Sequence, residues 1–285
     1  MTLYRHTPYV LATLSVVLWL LLFEATASAQ QAAVDSSKNS VNRWWTPTAR
    51  EPLRWQLQLQ GDIVLIPGVN VYAVDYTASQ ASINAAKATG AKVMCYISAG
   101  SAENWRDDFQ QFPKSVVGKA YEGWPGEWWL DTRNIQALSP IMRARIAACA
   151  EKGFDVLDPD NINGYENDTG FNINRWHSIQ YIEWLANLAH EYGMAFSLKN
   201  AESLIPFVGE SVDMMQSESC FYYENCESVK AMTDLNKPVF AVEYMEKIGV
   251  QEFRSEVCDL AETVGFSMIH RDTELTPDGP YRSCR

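Results

Sequence analysis

The sequence has few of the residues that metal and phosphate sites need. It contains four histidines, and none of its six cysteines shows metal-ligand spacing together with a histidine. A metal site is therefore not expected, and His190, on a predicted amphipathic helix, is assigned a structural role. The segment Gln60-Gly61-Asp62, which follows the first predicted strand, is not the glycine-rich loop of a nucleotide site. We expect no cofactor.

Basic residues are also scarce, since 23 Lys and Arg face 35 Asp and Glu, a formal net charge of −12. Such a surface repels nucleic acid and attracts cationic partners. The simpler explanation is that the charge serves solubility, as in many secreted proteins. We expect no nucleic-acid partner.

Long apolar runs are missing after the N-terminus. The run from Tyr9 to Phe23 is about 15 residues long, short of the roughly 20 that a membrane-spanning helix needs. Arg5 precedes it and Ala27-Ser28-Ala29 follows it, as in a cleaved secretory signal. An N-terminal membrane anchor is the alternative. We predict a signal peptide at 1–29, a flexible lead-in at 30–42, one domain at 43–285, and a secreted monomer without membrane contact.

The six cysteines all follow the predicted signal, and an oxidising compartment allows disulfides. Cys220 and Cys226 flank a short loop and form the best candidate pair. Cys258 with Cys284 would hold the C-terminal tail. Cys95 lies inside an apolar strand and is expected to be a buried free thiol.

Apolar periodicity predicts strands that alternate with helices. The strands are expected at Trp55–Gln60, Val69–Tyr76, Lys92–Ser98, Phe154–Asp160, Met194–Asn200, Asp213–Glu218, Val239–Tyr244 and Phe266–Arg271. Helices are expected at Ala78–Thr89, Ser139–Lys152, Asn174–Tyr192 and Val250–Val264, the first and third ending at Gly90 and Gly193. Eight strands in this length predict a single-domain (β/α)8 TIM barrel. A doubly wound open sheet is the alternative, although it favours the missing phosphate loop.

Polar side chains gather where the predicted strands end. In Phe154–Asp160 the alternation puts Asp158 and Asp160 on one face, although Asp160–Gly164 also suits a simple turn. Because barrel enzymes place their chemistry at the C-terminal mouth, this ring predicts an active site. Its members are Asp75, Tyr96, Ser98, Asp158, Asp160, Asn161, Lys199, Asn200, Glu218, Glu243 and Tyr244.

An aromatic-rich insertion at about 101–137 separates the third and fourth barrel strands. It is longer than ordinary barrel loops. Its aromatic residues are Trp105, Phe109, Phe112, Tyr121, Trp124, Trp128 and Trp129. Aromatic faces near carboxylates suit sugar rings, but these residues also suit a small satellite core.

The chain resembles glycoside hydrolase family 114, the endo-α-1,4-polygalactosaminidases, over nearly all of the predicted mature protein. The segments that carry the resemblance are Trp55–Gly61, Val71–Asp75, Cys95–Gly100, Glu103–Arg106, Gly123–Asp131, Asp158–Asn161, Thr169–Phe171, Leu198–Asn200, Glu218–Phe221 and Val242–Tyr244. The family implies a (β/α)8 barrel that cleaves α-1,4-linked galactosamine-containing polysaccharide internally. Two departures are Asp158, where the family usually has glutamate, and Ser217–Cys220, where it usually has Asn-Glu-Gln-Cys.

Glycoside cleavage normally needs two carboxyl groups, and we assign Asp160 and Glu218, the positions to which the resemblance also points. By analogy with retaining α-glycosidases on related barrels, Asp160 is the nucleophile and Glu218 the acid/base. An apolar rim and like-charged neighbours are expected to raise the pKa of Glu218. Glu243 is the alternative acid. The remaining substrate-contact candidates are Asp75, Tyr96, Ser98, Trp124, Asp131, Asp158, Asn161, Lys199, Asn200, Tyr223, Glu243 and Tyr244.

Two other function classes remain open. A non-catalytic carbohydrate-binding barrel would keep the aromatic residues, but it would tolerate loss of one carboxylate of the pair. A metal-dependent deacetylase of the same polymer needs histidine ligands, which the sequence lacks. Hydrolysis of another amino-sugar polymer is a further alternative.

Overall fold

The computed structural model describes residues 44–284, which belong to one compact unit. The predicted signal peptide and lead-in lie outside the described residues. Within 44–284, no helix is both long and apolar enough to cross a membrane.

Eight parallel strands succeed one another around the sheet and confirm the predicted barrel. Two of these strands, Lys92–Ser98 and Val239–Tyr244, have the predicted bounds. The barrel strands are β1 (Trp55–Gln58), β2 (Val71–Asp75), β3 (Lys92–Ser98), β7 (Val156–Asp160), β8 (Ala195–Lys199), β9 (Met214–Glu218), β10 (Val239–Tyr244) and β11 (Ser267–Arg271). A short β12 (Arg282–Ser283) pairs antiparallel with β11.

Helices cover most of the strand connections. They are α1 (Gln80–Ala88), α2 (Ile135–Glu151), α3 (Arg175–Glu191), α4 (Ile205–Val208), α5 (Cys226–Asp234), α6 (Val250–Glu252) and α7 (Cys258–Val264), the last two joined by a π turn at Phe253–Val257. The longer helices begin at side-chain caps. Asn134 accepts from the backbone of Ala137, and Asn174 and His177 form a reciprocal capping box. Gly90 and Gly193 take the left-handed backbone predicted after their helices.

Strand alternation divides the apolar residues into two layers. One layer fills the barrel interior, for example Val156 of β7, Met214 of β9 and Phe240 of β10. The other lies between strands and helices, for example Leu157 and Met215. Asp158 and Asp160 therefore follow Val156 on the interior face, as the alternation predicted.

The first and last barrel strands meet through side chains. The Trp55 indole donates to the carbonyl of Ser267 at 2.7 Å, and the Ser267 hydroxyl donates to the carbonyl of Leu53 at 2.7 Å. The hydroxyl of Tyr281, just before β12, donates to the carbonyl of Trp55 at 2.9 Å. These buried bonds satisfy strand carbonyls that would otherwise be costly to bury.

All six cysteines form disulfides. The expected pairs Cys220–Cys226 and Cys258–Cys284 are present. The expectation of a buried free thiol at Cys95 is wrong, because Cys95 of β3 is bonded to Cys149 of α2. Both residues point into the layer between strands and helices, where the packing of α2 brings two distant segments together.

A small antiparallel sheet follows β3. It contains β4 (Ser101–Glu103), β5 (Val117–Ala120) and β6 (Glu127–Leu130), with β6 in the centre. Some of its aromatic residues pack internally: Tyr121 stacks on Trp129, and Phe109 lies against Trp128. Trp105 and Trp124 are exposed. The satellite-core interpretation therefore applies to the packed members, and a sugar contact stays a prediction for the exposed ones.

Candidate active site

The ends of β7, β8 and β9 place three charged side chains together. The Lys199 ammonium lies 3.4 Å from Asp160 Oδ2 and 3.5 Å from Glu218 Oε1. Lys199 is buried and its ammonium also lies over the Tyr96 ring, 4.8 Å from the centroid. One cation is thus shared by the two carboxyl groups assigned as the catalytic pair.

A left-handed residue follows each of these strands. Asn161, Asn200 and Ser219 have φ values of 62°, 47° and 61°. This backbone region is uncommon for residues other than glycine, and such strain gathers at functional sites. The sharp turn ends each strand immediately after Asp160, Lys199 and Glu218, so these side chains stay at the barrel mouth.

Fixed donors orient both carboxylates. Asp160 Oδ2 accepts from the Tyr96 hydroxyl at 3.0 Å, and Oδ1 accepts from the Asn161 backbone N–H at 2.8 Å. Glu218 Oε1 accepts from the Tyr244 hydroxyl at 2.7 Å, and Oε2 accepts from Asn200 Nδ2 at 2.7 Å. Each carboxylate therefore has a defined orientation before a substrate is bound.

The pKa values of the pair move in opposite directions. Burial raises the pKa of Asp160, against the opposing effect of Lys199 and ahead of repulsion from Glu218. Burial also acts to raise the pKa of Glu218, but Lys199, Tyr244 and Asn200 outweigh it and lower that pKa. The expected rise at Glu218 is therefore wrong for the free site, because donors rather than apolar groups surround this carboxylate.

Asp158 lies deeper in the barrel and is fully buried. The Gln216 amide links it to the site: the amide orientation that satisfies both neighbours puts the nitrogen 2.7 Å from Asp158 Oδ2 and the oxygen 3.0 Å from Lys199 Nζ. Burial raises the pKa of Asp158 to about 7, although Lys199 opposes the shift. Asp158 is therefore connected to Lys199 through the Gln216 amide.

Glu243 is bound to the loop after β9. Its carboxylate accepts from the backbone N–H groups of Phe221 at 2.8 Å and Tyr222 at 3.4 Å. It is fully buried, and burial raises its pKa to about 7. Both of its oxygens are engaged by the loop that carries Tyr222 and Tyr223.

Two further predicted carboxylates form ion pairs. Asp75 accepts from both terminal nitrogens of Arg106, at 2.9 and 2.6 Å, and Asp131 accepts from Nε and one terminal nitrogen of Arg133, at 2.7 and 2.9 Å. Trp124 and Tyr223 are 55% and 60% exposed.

Direct hydrogen bonds or ion pairs connect Tyr96, Asn161, Lys199, Asn200 and Tyr244 to the pair. Ser98 is joined to the site through Asn161 at 3.2 Å.

Two residues near the pair were not predicted as site residues. Glu127 of β6 is buried, and it accepts from Asn161 Nδ2 at 2.9 Å. Burial raises its pKa to about 7. Burial also raises the pKa of Tyr121, and the charges of Asp160, Glu127 and Glu218 add to this. Both residues lie in the insertion. The signals that could have identified them are the Gly123–Asp131 segment, which contains Glu127, and the aromatic content of the insertion, which includes Tyr121.

Across residues 44–284, no group of three or more His, Cys, Asp or Glu side chains is arranged to hold a metal ion. What the mouth does contain is a pair of oriented carboxyl groups with a shared ammonium. Two carboxyl groups at the mouth of a parallel (β/α)8 barrel are the arrangement that barrel glycoside hydrolases use.

Comparison with known proteins identifies the family within this class. The model of glycoside hydrolase family GH114 matches residues 34–285, and the chain belongs to this family. The chain is 31% identical to Ega3 of Aspergillus fumigatus, whose crystal structure contains galactosamine, with a TM-score of 0.78 over 84% of this chain and 97% of that one. The glycoside hydrolase domain of PelA from Pseudomonas aeruginosa shares the fold at 10% identity, with a TM-score of 0.62 over 80% and 97%. No curated protein matches the sequence.

Proposed function

We propose that the protein is a secreted, endo-acting glycoside hydrolase that cleaves α-1,4-linked galactosamine-containing polysaccharide. The observation that carries this proposal is the Asp160–Lys199–Glu218 arrangement at the mouth of a GH114 barrel. The likeness to a galactosamine-bound enzyme supports the choice of sugar. Three disulfides suit an oxidising, extracytoplasmic compartment.

The distances within the pair are compatible with retention of configuration. Lys199 Nζ lies 3.4 Å from Asp160 Oδ2 and 3.5 Å from Glu218 Oε1. These two oxygens therefore cannot lie further apart than the sum of the two distances. Carboxyl groups stand about 5–5.5 Å apart in retaining enzymes and about 6.5–9.5 Å apart in inverting ones. The limit applies only to these two oxygens, so it is compatible with both ranges. By analogy with retaining α-glycosidases on related barrels, Asp160 is the nucleophile and Glu218 the acid/base.

The pKa shifts of the free site favour a second candidate, in which Asp160 and Glu218 exchange roles. The raised pKa of Asp160 and the lowered pKa of Glu218 would make Asp160 the proton carrier and Glu218 the nucleophile. Under the first assignment Glu218 must take up a proton when substrate enters the site.

An exposed aromatic cluster supports a sugar contact near Glu218. Tyr222 and Tyr223 lie on the loop after β9, and the Lys247 ammonium lies 5.0 and 4.4 Å from their ring centroids. Both rings are exposed. Exposed aromatic faces suit sugar rings, whose C–H faces stack on them, so we propose Tyr223 as a substrate contact.

Proton NMR of a galactosamine polymer during hydrolysis tests the reaction and its stereochemistry together. We expect new reducing ends from internal cleavage, with the α-anomer formed first. An initial β-anomer would contradict the covalent mechanism. Absence of cleavage with intact oligosaccharide binding would instead favour the carbohydrate-binding barrel.

Azide distinguishes the two role assignments. On an aryl α-galactosaminide with a good leaving group, Glu218→Gln should be rescued by azide with retained α configuration, because azide replaces the base-assisted water. Asp160→Asn should instead give a β-glycosyl azide. Exchange of these two products between the variants would assign the nucleophile to Glu218. Loss of activity in Glu243→Gln with near-normal Glu218→Gln would move the acid to β10.

A further inference from the structure

A buried carboxylate of the small sheet lies next to the catalytic turn, although the proposed reaction does not use it. Glu127 is 6% exposed. Its Oε1 accepts from Asn161 Nδ2 at 2.9 Å and from the hydroxyl of Ser101. Burying such a group is costly unless its bonds are made, and here they are made to the residue that follows Asp160.

Asn161 has a conformation that needs support. Its φ of 62° is left-handed, and its backbone N–H donates to Asp160 Oδ1 at 2.8 Å. The side-chain amide is shared among Glu127 Oε1, Ser101 Oγ at 2.8 Å and Ser98 Oγ at 3.2 Å. These acceptors restrain the Asn161 side chain, while its backbone N–H is bonded to Asp160.

The backbone of β3 and β4 packs closely against the same turn. A Cβ added to Gly100 would lie 1.7 Å from the carbonyl oxygen of Asn161. The Gly100 N–H also donates to the carbonyl of Asp160 at 3.0 Å. The turn is therefore confined on its backbone side by Gly100 and on its side-chain side by Glu127.

Glu127 has charged neighbours on three elements. Glu103 lies directly opposite it in the β4–β6 ladder, Asp160 lies on β7, and Arg106 lies between the small sheet and Asp75. Arg106 is already bound to Glu103 and Asp75. The hydrogen-bonding contacts of Glu127 are with Asn161 and Ser101, which separates its role from that of the Arg106 ion pairs.

We propose that Glu127 is a positioning residue of this enzyme, which holds Asn161 in the left-handed turn that places its N–H on the Asp160 carboxylate. The inference rests on the proposed function for its kinetic readout. The small sheet then has a direct part in catalysis, because it orients the carboxylate at the end of β7. What Glu127 must supply is one oxygen that accepts two hydrogen bonds, and an amide oxygen can do the same.

Four variants test this on the polymer that the wild type cleaves. Glu127→Ala should lower kcat by about tenfold to a hundredfold, the scale of a small misplacement of a reacting group, with KM nearly unchanged. Glu127→Gln should recover most of the loss, since its oxygen can accept from both donors. Asn161→Gly keeps the turn but removes the amide, so adding Glu127→Ala to it should have little further effect.

The matched control is Glu103→Gln, which removes a buried carboxylate from the opposite ladder position. It should lower the melting temperature but leave kcat within about twofold, because the Glu103 carboxylate bonds to Arg106 and not to Asn161. Additive losses in the double variant, or a Glu127→Gln as poor as Glu127→Ala, would overturn the proposal. So would a rise in KM alone.

A crystal structure of Glu127→Ala gives a readout that does not depend on the substrate. We expect the Asn161 N–H to leave Asp160 or the φ of Asn161 to change. An unchanged turn would contradict the proposal even if galactosamine polymers were not the substrate. Failure of the wild type to cleave such polymers, with a displaced turn in the variant, would count against the proposed function only.

Discussion

The two ends of β7 and β9 carry carboxylates in very different surroundings. At the starts, Asp155 accepts from Lys87 at 3.0 Å, Lys92 at 3.1 Å and the Val93 N–H at 3.0 Å. Asp213 contacts His190 Nε2 at 2.7 Å and accepts from the Trp44 indole at 3.0 Å and the Phe196 N–H at 2.8 Å. At the other ends, Asp160 and Glu218 share Lys199.

The difference distinguishes structural carboxylates from reactive ones. Asp155 and Asp213 each have their own positively charged or N–H donors, so a substrate would offer them little. The Asp160–Glu218 pair has two acids for one ammonium, which leaves excess negative charge at the mouth. In barrel enzymes the N-terminal face contributes stability and the C-terminal face contributes chemistry. The His190 contact also agrees with the structural role predicted for that residue.

The largest expected effect is on turnover. Asp160→Asn and Glu218→Gln should each lower kcat by at least about a hundredfold, the low end for loss of an acid or base. Oligosaccharide binding should persist, because the amide and aromatic contacts remain. Initial rates and binding isotherms on the same variants measure both quantities.

Asp155→Asn and Asp213→Asn are the matched controls at the opposite ends of the same strands. We expect them to lower the melting temperature while kcat stays within about twofold, since such sites act through stability. A hundredfold loss of kcat in a control that melts normally would abolish the distinction between the two ends.

The second effect concerns Asp158 and stability. The folded pKa of Asp158 is about 7, above its ordinary 3.8. The stability that Asp158 contributes is therefore fully present below pH 3.8 and is lost as the pH rises from 3.8 to about 7. Asp158→Asn keeps an acceptor for Gln216 and does not titrate. Relative to wild type, its free energy of unfolding should rise by up to about 4 kcal/mol between pH 3.5 and 8, at 1.36 kcal/mol per pKa unit. Urea titrations at both pH values measure this, and a constant difference would contradict it.

The third effect concerns the loop that Glu243 binds. Replacing Cys220 and Cys226 by serine should cost about 2–3 kcal/mol of stability. It should also raise KM more than it changes kcat, because the loop carries Tyr222 and Tyr223. Non-reduced peptide mapping should show the bridge in wild type, and free thiols at both positions would contradict it.

The smallest effect is on salt dependence. Cleavage of deacetylated polymer should fall a few-fold between low and high ionic strength, because screening weakens attraction of a cationic chain to the acidic mouth. Fully acetylated polymer should be cleaved more slowly and show little salt dependence. Equal rates on both polymers would remove the electrostatic explanation of substrate choice.

Much of the barrel was predictable because its signals are local. Apolar periodicity predicted all eight strands and polar ends were recognised at the second to the seventh, and the sequence Asp160–Gly164 suited the turn after Asp160. The short separation along the chain also predicted the Cys220–Cys226 bridge, since the two cysteines are six residues apart. By contrast, Cys95 and Cys149 are 54 residues apart, and their pairing depends on how α2 packs against β3.

The sequence by itself determined which strands end in carboxylates, because side-chain alternation and strand ends are properties of neighbouring residues. Only the tertiary structure decided how those carboxylates are used. It bound Asp75 to Arg106 and Glu243 to the loop after β9, and it placed Lys199 between Asp160 and Glu218. It also brought Glu127 from a separate sheet to Asn161. Charges interact over a few ångströms of space whatever their separation along the chain, and that proximity is set by the closure and packing of the barrel.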